Sequence, residues 1–362
     1  MIKLLTLNER SEWNSYIKRS FVHDFYHTWH YHSLDNSGDP ILFIYEEGEN
    51  FIAFPFLKRV IPDSPFFDLS SVYGYPGPIA SKKFEHLDEG LIDNFKKSFL
   101  KFLKNEQIVS VFSRLNPFFD QYILMKEFEG VHENGLTVAL DLNLPLDVQR
   151  KKYDRSATRA IKRCRNKGYF VKESKRQEDI DTFIDIYTEN MRRIGSTEYY
   201  LFDKQYFTNL IHSKEFDCRL LLVYLGDEIT CAMIISFSHG IIQAHLVATK
   251  ASYLNQSPAK FLVDEITIIG RERGMKFFHL GGGLGFKEDS LFRWKSAFSD
   301  LFLNYKSFRF IANRKAYNYL LDKRGIDKKI AIDYFPLYRA FITLFSSLLF
   351  IYNYSYYEKV II

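Results

Sequence analysis

The segment Leu280–Ser299, LGGGLGFKEDSLFRWKSAFS, contains the residues best suited to chemistry. A predicted strand ends there in three consecutive glycines, Gly281, Gly282 and Gly283. Because glycine has no Cβ, a ligand can approach its backbone closely. Lys295 supplies a positive charge between Trp294 and Phe298. From these residues alone, the glycines form either a ligand contact or a tight turn, and the lysine is either functional or solvated.

Two residues are candidates for a general base, His245 and Asp289. His245 lies in the predicted strand Ile241–Thr249, where alternation places it on one face with Gln243. A histidine at such a position is often structural, and amine acylation can also proceed with base help from the substrate itself. Both candidates therefore stay open. No zinc-ligand, P-loop or nucleophile-elbow pattern is present in the sequence, so neither a metal nor a covalent nucleophile is expected.

The positions of these residues are set by predicted strands and a predicted helix that begin at Arg219. Three strand-like runs are joined by two-residue links, which predicts an antiparallel meander over Arg219–Leu225, Glu228–Ser238 and Ile241–Thr249. Ser257-Pro258 then starts a predicted helix as N-cap and first-turn residue, and Gly274 ends it. A fourth strand, Met275–Leu280, leads into the glycines. Three antiparallel strands, a crossover helix and a strand ending in glycines resemble the acyl-transfer core of the GNAT acetyltransferases.

A more specific resemblance follows from the order of features after the glycines. The segment contains Asp289-Ser290-Leu291, then the aromatic-lysine pair Trp294-Lys295, then Phe298-Ser299. This order resembles the end of the FemAB-like family, the peptidoglycan-bridge aminoacyltransferases and their GNAT-like relatives in envelope polysaccharide pathways. The resemblance implies that Lys295 contacts a phosphate or the charge of the transition state. It also implies a site lined by Trp294 and the three glycines.

The resemblance places a second part of the site at the helix start that contains Ser257 and Lys260. GNAT enzymes hold a pyrophosphate at this helix N-terminus. The usual Gln/Arg-x-x-Gly-x-Gly/Ala loop is missing, since the sequence reads KASYLNQSPAKF. That departure weakens the expectation of an ordinary acetyl-CoA cradle and fits the Fem-like branch, in which an aminoacyl-tRNA can be the donor. The long helical arm that Fem enzymes using tRNA often carry is not visible in the sequence.

Four further residues are assigned to substrate binding. Tyr73 and Tyr75, in YGYPGP, match a family segment that lines the acceptor groove, and an aromatic turn packed for its own sake is the alternative. Arg159 matches an arginine common in the family, and Arg192 is assigned a similar role. Arg159 lies in the predicted helix Asp147–Gly168, which carries eight Lys and Arg residues from position 151 to 167. Such a helix would attract a polyphosphate, or it is a solvated face.

The predicted elements before about residue 145 occur again after it in the same order. A helix, a hairpin, an extended strand, a long helix and a short strand run from Ser11 to Phe112, and again from Asp179 to Leu280. We therefore predict an α/β (α+β) fold of two tandem GNAT-like units with mixed, largely antiparallel sheets. The first unit, on the acceptor side, covers 1–145. The second, with the acyl-transfer core, covers 146–312, and a helical, apolar tail covers 313–362.

Composition limits the class of protein. The 362 residues suffice for two domains, and a hydrophobic content of 46% argues against broad disorder. A net charge of +5 does not by itself indicate a nucleic-acid binder. The 3 cysteines lack metal-ligand spacing and are expected to be reduced.

The first residues lack the h-region of a signal peptide, which predicts a cytoplasmic protein. The uncharged part of the tail, Ala340 to Tyr357, is about 18 residues and so is marginal against the roughly 20 apolar residues of a membrane span, which favours peripheral contact with the inner face of the membrane.

The sequence thus predicts an acyltransferase that moves an acyl or aminoacyl group to an amine of a cell-envelope precursor. The acceptor would be a nucleotide- or lipid-linked sugar or peptide, and the donor acyl-CoA or an aminoacyl-tRNA. No tightly bound cofactor is expected. The rival hypothesis is a non-catalytic module that binds RNA or anionic lipid through the basic helix. The missing cradle loop favours the rival, whereas the segment from Asp289 to Ser299 favours the enzyme.

Overall fold

The computed structural model describes residues 1–195, 201–327, 332–340, 343–345 and 348–350. The strands in chain order are β1 (Ile2–Leu5), β2 (Asp39–Glu47), β3 (Asn50–Val60), β4 (Phe67–Ser70), β5 (Ile79–Ala80), β6 (Ile108–Arg114), β7 (Val131–Asp141), β8 (Phe170–Ser174), β9 (Asp217–Leu225), β10 (Glu228–Ser238), β11 (Ile241–Thr249), β12 (Phe277–Gly282), β13 (Leu301–Ile311), β14 (Thr343–Phe345) and β15 (Leu348–Phe350). The helices are α1 (Arg10–Arg19), α2 (Trp29–His32), α3 (Glu89–Asn105), α4 (Tyr122–Met125), α5 (Leu146–Lys151), α6 (Arg155–Asn166), α7 (Gln177–Arg193), α8 (Lys204–Ile211), α9 (Pro258–Glu272), α10 (Ser290–Ser296) and α11 (Arg314–Lys323).

Tight turns with left-handed backbone join the strands of the predicted meander. Gly226, between β9 and β10, has φ of 60°, and His239 and Gly240, between β10 and β11, have φ of 45° and 79°. Positive φ in two-residue links matches the right-handed twist of paired strands, so such links favour hairpins. β10 pairs antiparallel with both β9 and β11. The predicted meander is confirmed.

Unit 2, Gly135–Asn304, is one of two compact units. Its strands lie in the order β8-β9-β10-β11-β12-β7, and all neighbours are antiparallel except β11 and β12. The side chains of Leu221 and Val223 enter the core that includes Ile161 of α6 and Ile266 of α9. On the other side of the sheet, α7 and α8 pack against β11 and β9. Both faces of this sheet are therefore covered by helices.

Unit 1 comprises Met1–Asn134 and the described residues from Tyr305 on. Its strands lie in the order β1-β2-β3-β4-β6-β13, with β5 beside β3, and all neighbours are antiparallel except β4 and β6. Phe95 and Phe99 of α3 pack on one face of the sheet. Trp13 and Tyr16 of α1 belong to a separate core cluster with residues of β2 and β3.

The two units repeat one topology. In each, a strand precedes a three-strand antiparallel meander, a helix crosses over, the next strand is parallel to the third meander strand, and an antiparallel strand completes the sheet. The completing strands are exchanged along the chain: β7 follows β6 but pairs with β12, and β13 follows β12 but pairs with β6. This confirms two tandem units, and it shows a connectivity that the sequence analysis did not predict.

The exchange moves the unit boundaries away from residue 145. The compact units divide within β7, at Asn134/Gly135, and within β13, at Asn304/Tyr305. The tail that was expected to be helical contains α11, and then the three-residue strands β14 and β15, which pair antiparallel. Residues 351–362 lie outside the described part. None of the helices in the described residues is both long and apolar enough to cross a membrane.

Candidate active site in unit 2

The parallel strands β11 and β12 pair over only three positions, Ile241–Gln243 with Phe277–His279. Directly afterwards His245 forms a bulge opposite β10, and Leu280 forms a bulge opposite β7. Both strands continue beyond their last paired position, so the ladder between them ends at Gln243 and His279. We call residues 244–246 of β11 and 280–282 of β12 the fork. Backbone N–H groups at a point where two strands separate can act as donors to a developing oxyanion.

Lys295 lies beside the β12 arm of the fork. Its ammonium donates a hydrogen bond to the Gly282 carbonyl oxygen at 2.6 Å, and its side chain is only partly exposed. Removal from water lowers the pKa of Lys295 from 10.5 to about 8, although the charge of Asp289 opposes the shift. Among the described residues, this carbonyl is the hydrogen-bond acceptor of the ammonium. A cation without a direct counter-ion is suited to an anionic ligand or to developing negative charge.

Two of the three glycines have conformational reasons to be glycine. Gly281 has φ of 77°, next to the bulge at Leu280. A Cβ on Gly283 would lie 2.1 Å from the Lys287 carbonyl oxygen and 2.4 Å from Asp289 Oδ1. Gly282 provides the carbonyl that Lys295 binds. The glycine run therefore shapes the strand end and its contact with the next helix, whether or not a ligand touches it.

Asp289 is the N-cap of α10. Its Oδ1 accepts from the Phe292 N–H at 2.8 Å, and its Oδ2 accepts from the Leu284 N–H at 2.9 Å. Both carboxylate oxygens therefore accept from backbone donors, as is typical of an N-cap. The cap also fixes the start of the helix that carries Trp294 and Lys295. The geometry favours a positioning role for Asp289 over the role of general base.

His245, the other candidate base, faces α8. Its Nε2 lies 2.9 Å from Tyr206 Oη, and burial lowers the pKa of the imidazole from 6.5 to about 3. The Tyr206 ring in turn stacks on Phe202 at 4.2 Å. A buried neutral histidine that contacts a tyrosine packs the bulge against α8. This arrangement favours the structural interpretation of His245.

Sequence reasoning missed the pair Gln243 and His279, although alternation had placed Gln243 on the face of His245. The two residues are aligned at the last paired position of β11 and β12. His279 Nδ1 lies 3.0 Å from Gln243 Oε1, and both side chains are buried. Burial, assisted by the charge of Lys295, lowers the pKa of His279 to about 3. Only the parallel register brings the two side chains together, and no local pattern encodes that register.

The first turn of α9 is turned toward α6. Ser257 is the N-cap residue and Pro258 begins the helix, as predicted, but Ser257 has φ of 55° and its side chain makes no cap hydrogen bond. Lys260 is buried and donates to Ser156 Oγ at 2.7 Å, with its pKa lowered by burial. The carbonyl oxygens of Asn255 and Gln256 accept from Arg163 Nη2. Carbonyl oxygens oriented to an arginine do not form the ring of N–H donors that a diphosphate needs.

The predicted basic helix is two helices, because Asp154 caps a new start by accepting from the Ala157 N–H at 2.6 Å. Most of its cations have internal partners: Lys152 binds Asp300, and Arg165 binds Asp264 and Glu265. The exceptions in the described chain form a stripe on α6 that consists of Arg155, Arg159 and Lys162. These side chains are exposed at i, i+4 and i+7 of one helical face. Arg192 is likewise exposed, in the last turn of α7.

In unit 1, residues 71–78 leave the sheet between β4 and β5, which lie along the same edge of β3. Tyr75 in this excursion is buried against Tyr26 and Tyr305, and burial raises its pKa. Tyr73 is partly exposed, and its carbonyl oxygen accepts from Tyr31 Oη at 2.9 Å. The packing interpretation therefore holds for Tyr75. For the partly exposed Tyr73, contact with an acceptor stays a prediction.

Comparisons with known proteins agree with this geometry. Residues 151–296, all within unit 2, match the family model of the GNAT acetyltransferase domain. The crystal structure of FemX superposes with a TM-score of 0.65 at 13% identity, over 88% of this chain and 99% of FemX. The chain thus has the tandem GNAT fold of the FemAB-like type, and its second unit matches a family of acyltransferases.

Two further solved structures share the fold. One is the C-terminal domain of a putative lysylphosphatidylglycerol synthetase from Agrobacterium fabrum, with a TM-score of 0.54 at 13% identity over 88% of this chain and 97% of that one. The other is L-PGS from Bacillus licheniformis, with a TM-score of 0.54 at 14% identity and the same coverage. At the level of sequence, no curated protein matches this chain.

Proposed function

We propose that this protein transfers an acyl or aminoacyl group from an activated thioester or ester to an amine of a cell-envelope precursor, a nucleotide- or lipid-linked sugar or peptide. The observation that carries the proposal is the partly buried ammonium of Lys295 beside the fork, with the neutral Gly282 carbonyl as its hydrogen-bond acceptor. The match of residues 151–296 to an acyltransferase domain supports the same conclusion.

In this proposal the acceptor amine attacks the donor carbonyl carbon, and a C–N bond forms as the C–S or C–O bond breaks. Backbone N–H groups of the fork stabilise the oxyanion, and Lys295 adds positive charge nearby. The amine loses one proton, and the leaving thiolate or alkoxide takes up one proton. His245 packs against Tyr206 and Asp289 caps α10, so neither is assigned the role of general base in this proposal, and base help comes from solvent or substrate.

The donor in this proposal is acyl-CoA or an aminoacyl-tRNA. The family match favours a thioester of coenzyme A. The missing glycine-rich loop before α9, where the Asn255 and Gln256 carbonyl oxygens accept from Arg163, favours the ester. The structures from Agrobacterium fabrum and Bacillus licheniformis share the fold alone at this level of identity, so they do not decide between the donors.

The test is incubation of the full chain with a panel of acyl-CoAs and charged tRNAs, together with nucleotide- and lipid-linked amine acceptors. Mass spectrometry of the acceptors reads out the product. We expect one donor class to give an acceptor mass increase that Lys295→Met abolishes and that the exposed-lysine variant Lys97→Met leaves intact. Absence of a product with every donor, or equal product from Lys295→Met, would contradict the proposal.

The second candidate is the non-catalytic module that binds RNA or anionic lipid. The observation that favours it is the stripe of Arg155, Arg159 and Lys162, which are exposed and have no acidic partner among the described residues. Under this alternative, binding depends on the stripe and is indifferent to Lys295. The panel experiment separates the candidates, because only the enzyme changes the mass of an acceptor.

A further inference from the structure

A row of buried polar side chains crosses the middle of the unit 2 sheet. Ser236 of β10 is aligned with Gln243 of β11, and Gln243 is aligned with His279 of β12. Their side chains are at most 2% exposed. The strand neighbours Ile242 and Phe278 are fully buried and apolar. Buried polar groups in such a core lower the stability of the fold unless they are hydrogen-bonded, so the presence of this row needs a physical explanation.

The hydrogen-bonded members of the row, Gln243 and His279, lie at the same position along the paired strands, and we call this position the level at which the strands separate. Gln243 and His279 are the last paired residues before β11 and β12 separate, and the bulges at His245 and Leu280 follow at once. Since the amide oxygen can only accept, the imidazole donates from Nδ1, and the 3.0 Å contact joins the two strands through their side chains. The bond therefore lies at the base of the fork.

The same pair is coupled to Lys295. The ammonium is close enough to His279 for its charge to lower the pKa of the imidazole. Three residues beyond His279, the Gly282 carbonyl accepts the hydrogen bond of Lys295. A change in the level at which β12 leaves β11 would move that carbonyl, and the ammonium with it. The position of the charge thus depends on where the strands separate.

We propose that Gln243 and His279 are positioning residues for acyl transfer: their hydrogen bond fixes the level of the fork and thereby places Lys295 against the reacting carbonyl. This inference rests on the transfer reaction proposed above. The competing explanation is that the bond only satisfies two buried polar groups. Replacing both partners by apolar side chains of similar shape is then nearly neutral, because neither is left unpaired.

The double variant Gln243→Leu/His279→Phe distinguishes the two explanations. We expect it to melt close to the wild type, to bind donor with a KM within about threefold, and to lose roughly tenfold to a hundredfold in kcat, as a misplaced catalytic group does. Gln243→Glu, whose carboxylate accepts the same hydrogen bond, should keep most of kcat. Ser236→Ala is the matched control, one strand away in the same row, and should transfer normally.

A second measurement does not depend on activity. The pKa of Lys295 can be followed by NMR after reductive 13C-methylation of the lysines. In the double variant we expect it to move toward the ordinary value of 10.5, because water enters the relaxed fork, and to stay unchanged in Ser236→Ala. A single variant, Gln243→Met, serves if the double variant does not fold.

A double variant with wild-type kcat and an unchanged Lys295 pKa would overturn the inference and leave the pair as a satisfied polar contact. A wild type that transfers nothing would refute the proposed reaction, and the NMR titration would still show whether the pair positions Lys295. The two failures are therefore distinguishable.

Discussion

At the scale of single residues, Lys295 is the side chain on which the proposed chemistry depends. It combines a charge, partial burial and a neutral hydrogen-bond acceptor at the end of β12. The ring centroids of its neighbour Trp294 and of Phe298 lie 5.4 Å apart. Among the described residues, the buried indole N–H of Trp294 has no hydrogen-bond acceptor. The remaining candidates of this segment support its geometry: Asp289 caps α10, and Gly281 and Gly283 shape the turn.

Removing Lys295 should affect turnover far more than binding. An interaction made mainly in the transition state lowers kcat and leaves ground-state affinity nearly intact, and losing a positioned donor costs roughly 10²–10³ in rate. We expect this loss in single-turnover transfer by Lys295→Met, with acceptor affinity within a few-fold. Lys295→Arg should recover only part of the rate, because the planar guanidinium does not reproduce a point charge. Near-normal transfer by a folded Lys295→Met would remove the residue from the mechanism.

The pH dependence of transfer should report the charge of Lys295. The ammonium is charged below its folded pKa of about 8, so a rate that needs the charge falls as pH rises through that value. Lys295→Arg should remain flat there. Because the folded pKa lies below 10.5, folding disfavours the charged form, and Lys295→Met should not lower the melting temperature at pH 7. A rate that instead rises through pH 8 would indicate a neutral lysine acting as base.

In unit 1, Asp24 should make stability depend on pH. Its carboxyl group is buried, with the Phe25 N–H at 2.6 Å and Asn116 Nδ2 at 3.5 Å, and burial raises its pKa from 3.8 to about 7. A raised folded pKa gives stability that is present below 3.8 and lost as pH rises through 7. Asp24→Asn keeps the cap and removes this loss, which we expect to be on the order of 1–3 kcal/mol at pH 8.

The measurement is the difference in melting temperature between Asp24→Asn and the wild type at pH 5 and pH 8. The difference should favour the variant more strongly at pH 8. Asp88→Asn, at the exposed cap of α3, is the matched control and should show little change. An equal difference at both pH values for Asp24→Asn would mean that the buried carboxyl group does not titrate in this range.

At the scale of elements, α6 shows how a charged helix is divided between structure and surface. Arg163 and Arg165 contact the segment before α9 and α9 itself, so they hold the helix in place. Arg155, Arg159 and Lys162 face solvent on one stripe. The eight charges that looked equivalent in the sequence therefore have different roles, and the stripe is the group without an internal partner among the described residues.

The stripe gives a prediction that depends on salt. Arg159→Ala/Lys162→Ala should weaken binding of an RNA oligonucleotide, or of vesicles that contain anionic lipid, more at low than at high salt, because exposed charges are screened beyond about 10 Å at 0.1 M salt. Lys101→Ala/Lys104→Ala, an exposed pair at the same spacing on α3, is the control. An unchanged affinity of the α6 variant for RNA or vesicles at low salt would mean that the stripe is an ordinary solvated surface.

At the scale of the whole molecule, each unit contains one strand from the other side of the boundary that was predicted at residue 145: β13 in unit 1 and β7 in unit 2. Phe308 of β13 is buried in unit 1 near Phe54 and Phe128. Val138 and Leu140 of β7 are buried in the core of unit 2. Neither core is complete in a chain cut between the two predicted halves.

Cutting the chain at residue 145 should therefore prevent unit 1 from folding alone. The fragment 1–145 lacks β13 and carries β7, whose partner β12 is missing. We expect no cooperative thermal transition by circular dichroism for this fragment, and recovery of one when 146–362 is co-expressed. Independent cooperative folding of 1–145 would show that β13 contributes little to unit 1.

The sequence by itself determined the local elements and their order. The meander β9–β11, the crossover helix α9 and the glycine strand end were all predicted, because turn residues and hydrophobic periodicity act over a few neighbouring positions. The repeated order of elements indicated two GNAT-like units for the same reason. Lys295 was singled out by a motif that is contiguous in sequence.

Tertiary structure alone decided which strand completes each unit, because pairing between strands distant in sequence depends on burial and register and leaves no local pattern. For the same reason the sequence does not reveal that Gln243 and His279 are neighbours, because they meet only through the parallel register of β11 and β12. This also explains why the sequence suggested His245 and Asp289 as general bases, because their residue types suit that role. Their contacts with Tyr206 and with two backbone N–H groups give them structural roles, and those contacts exist only in the folded chain.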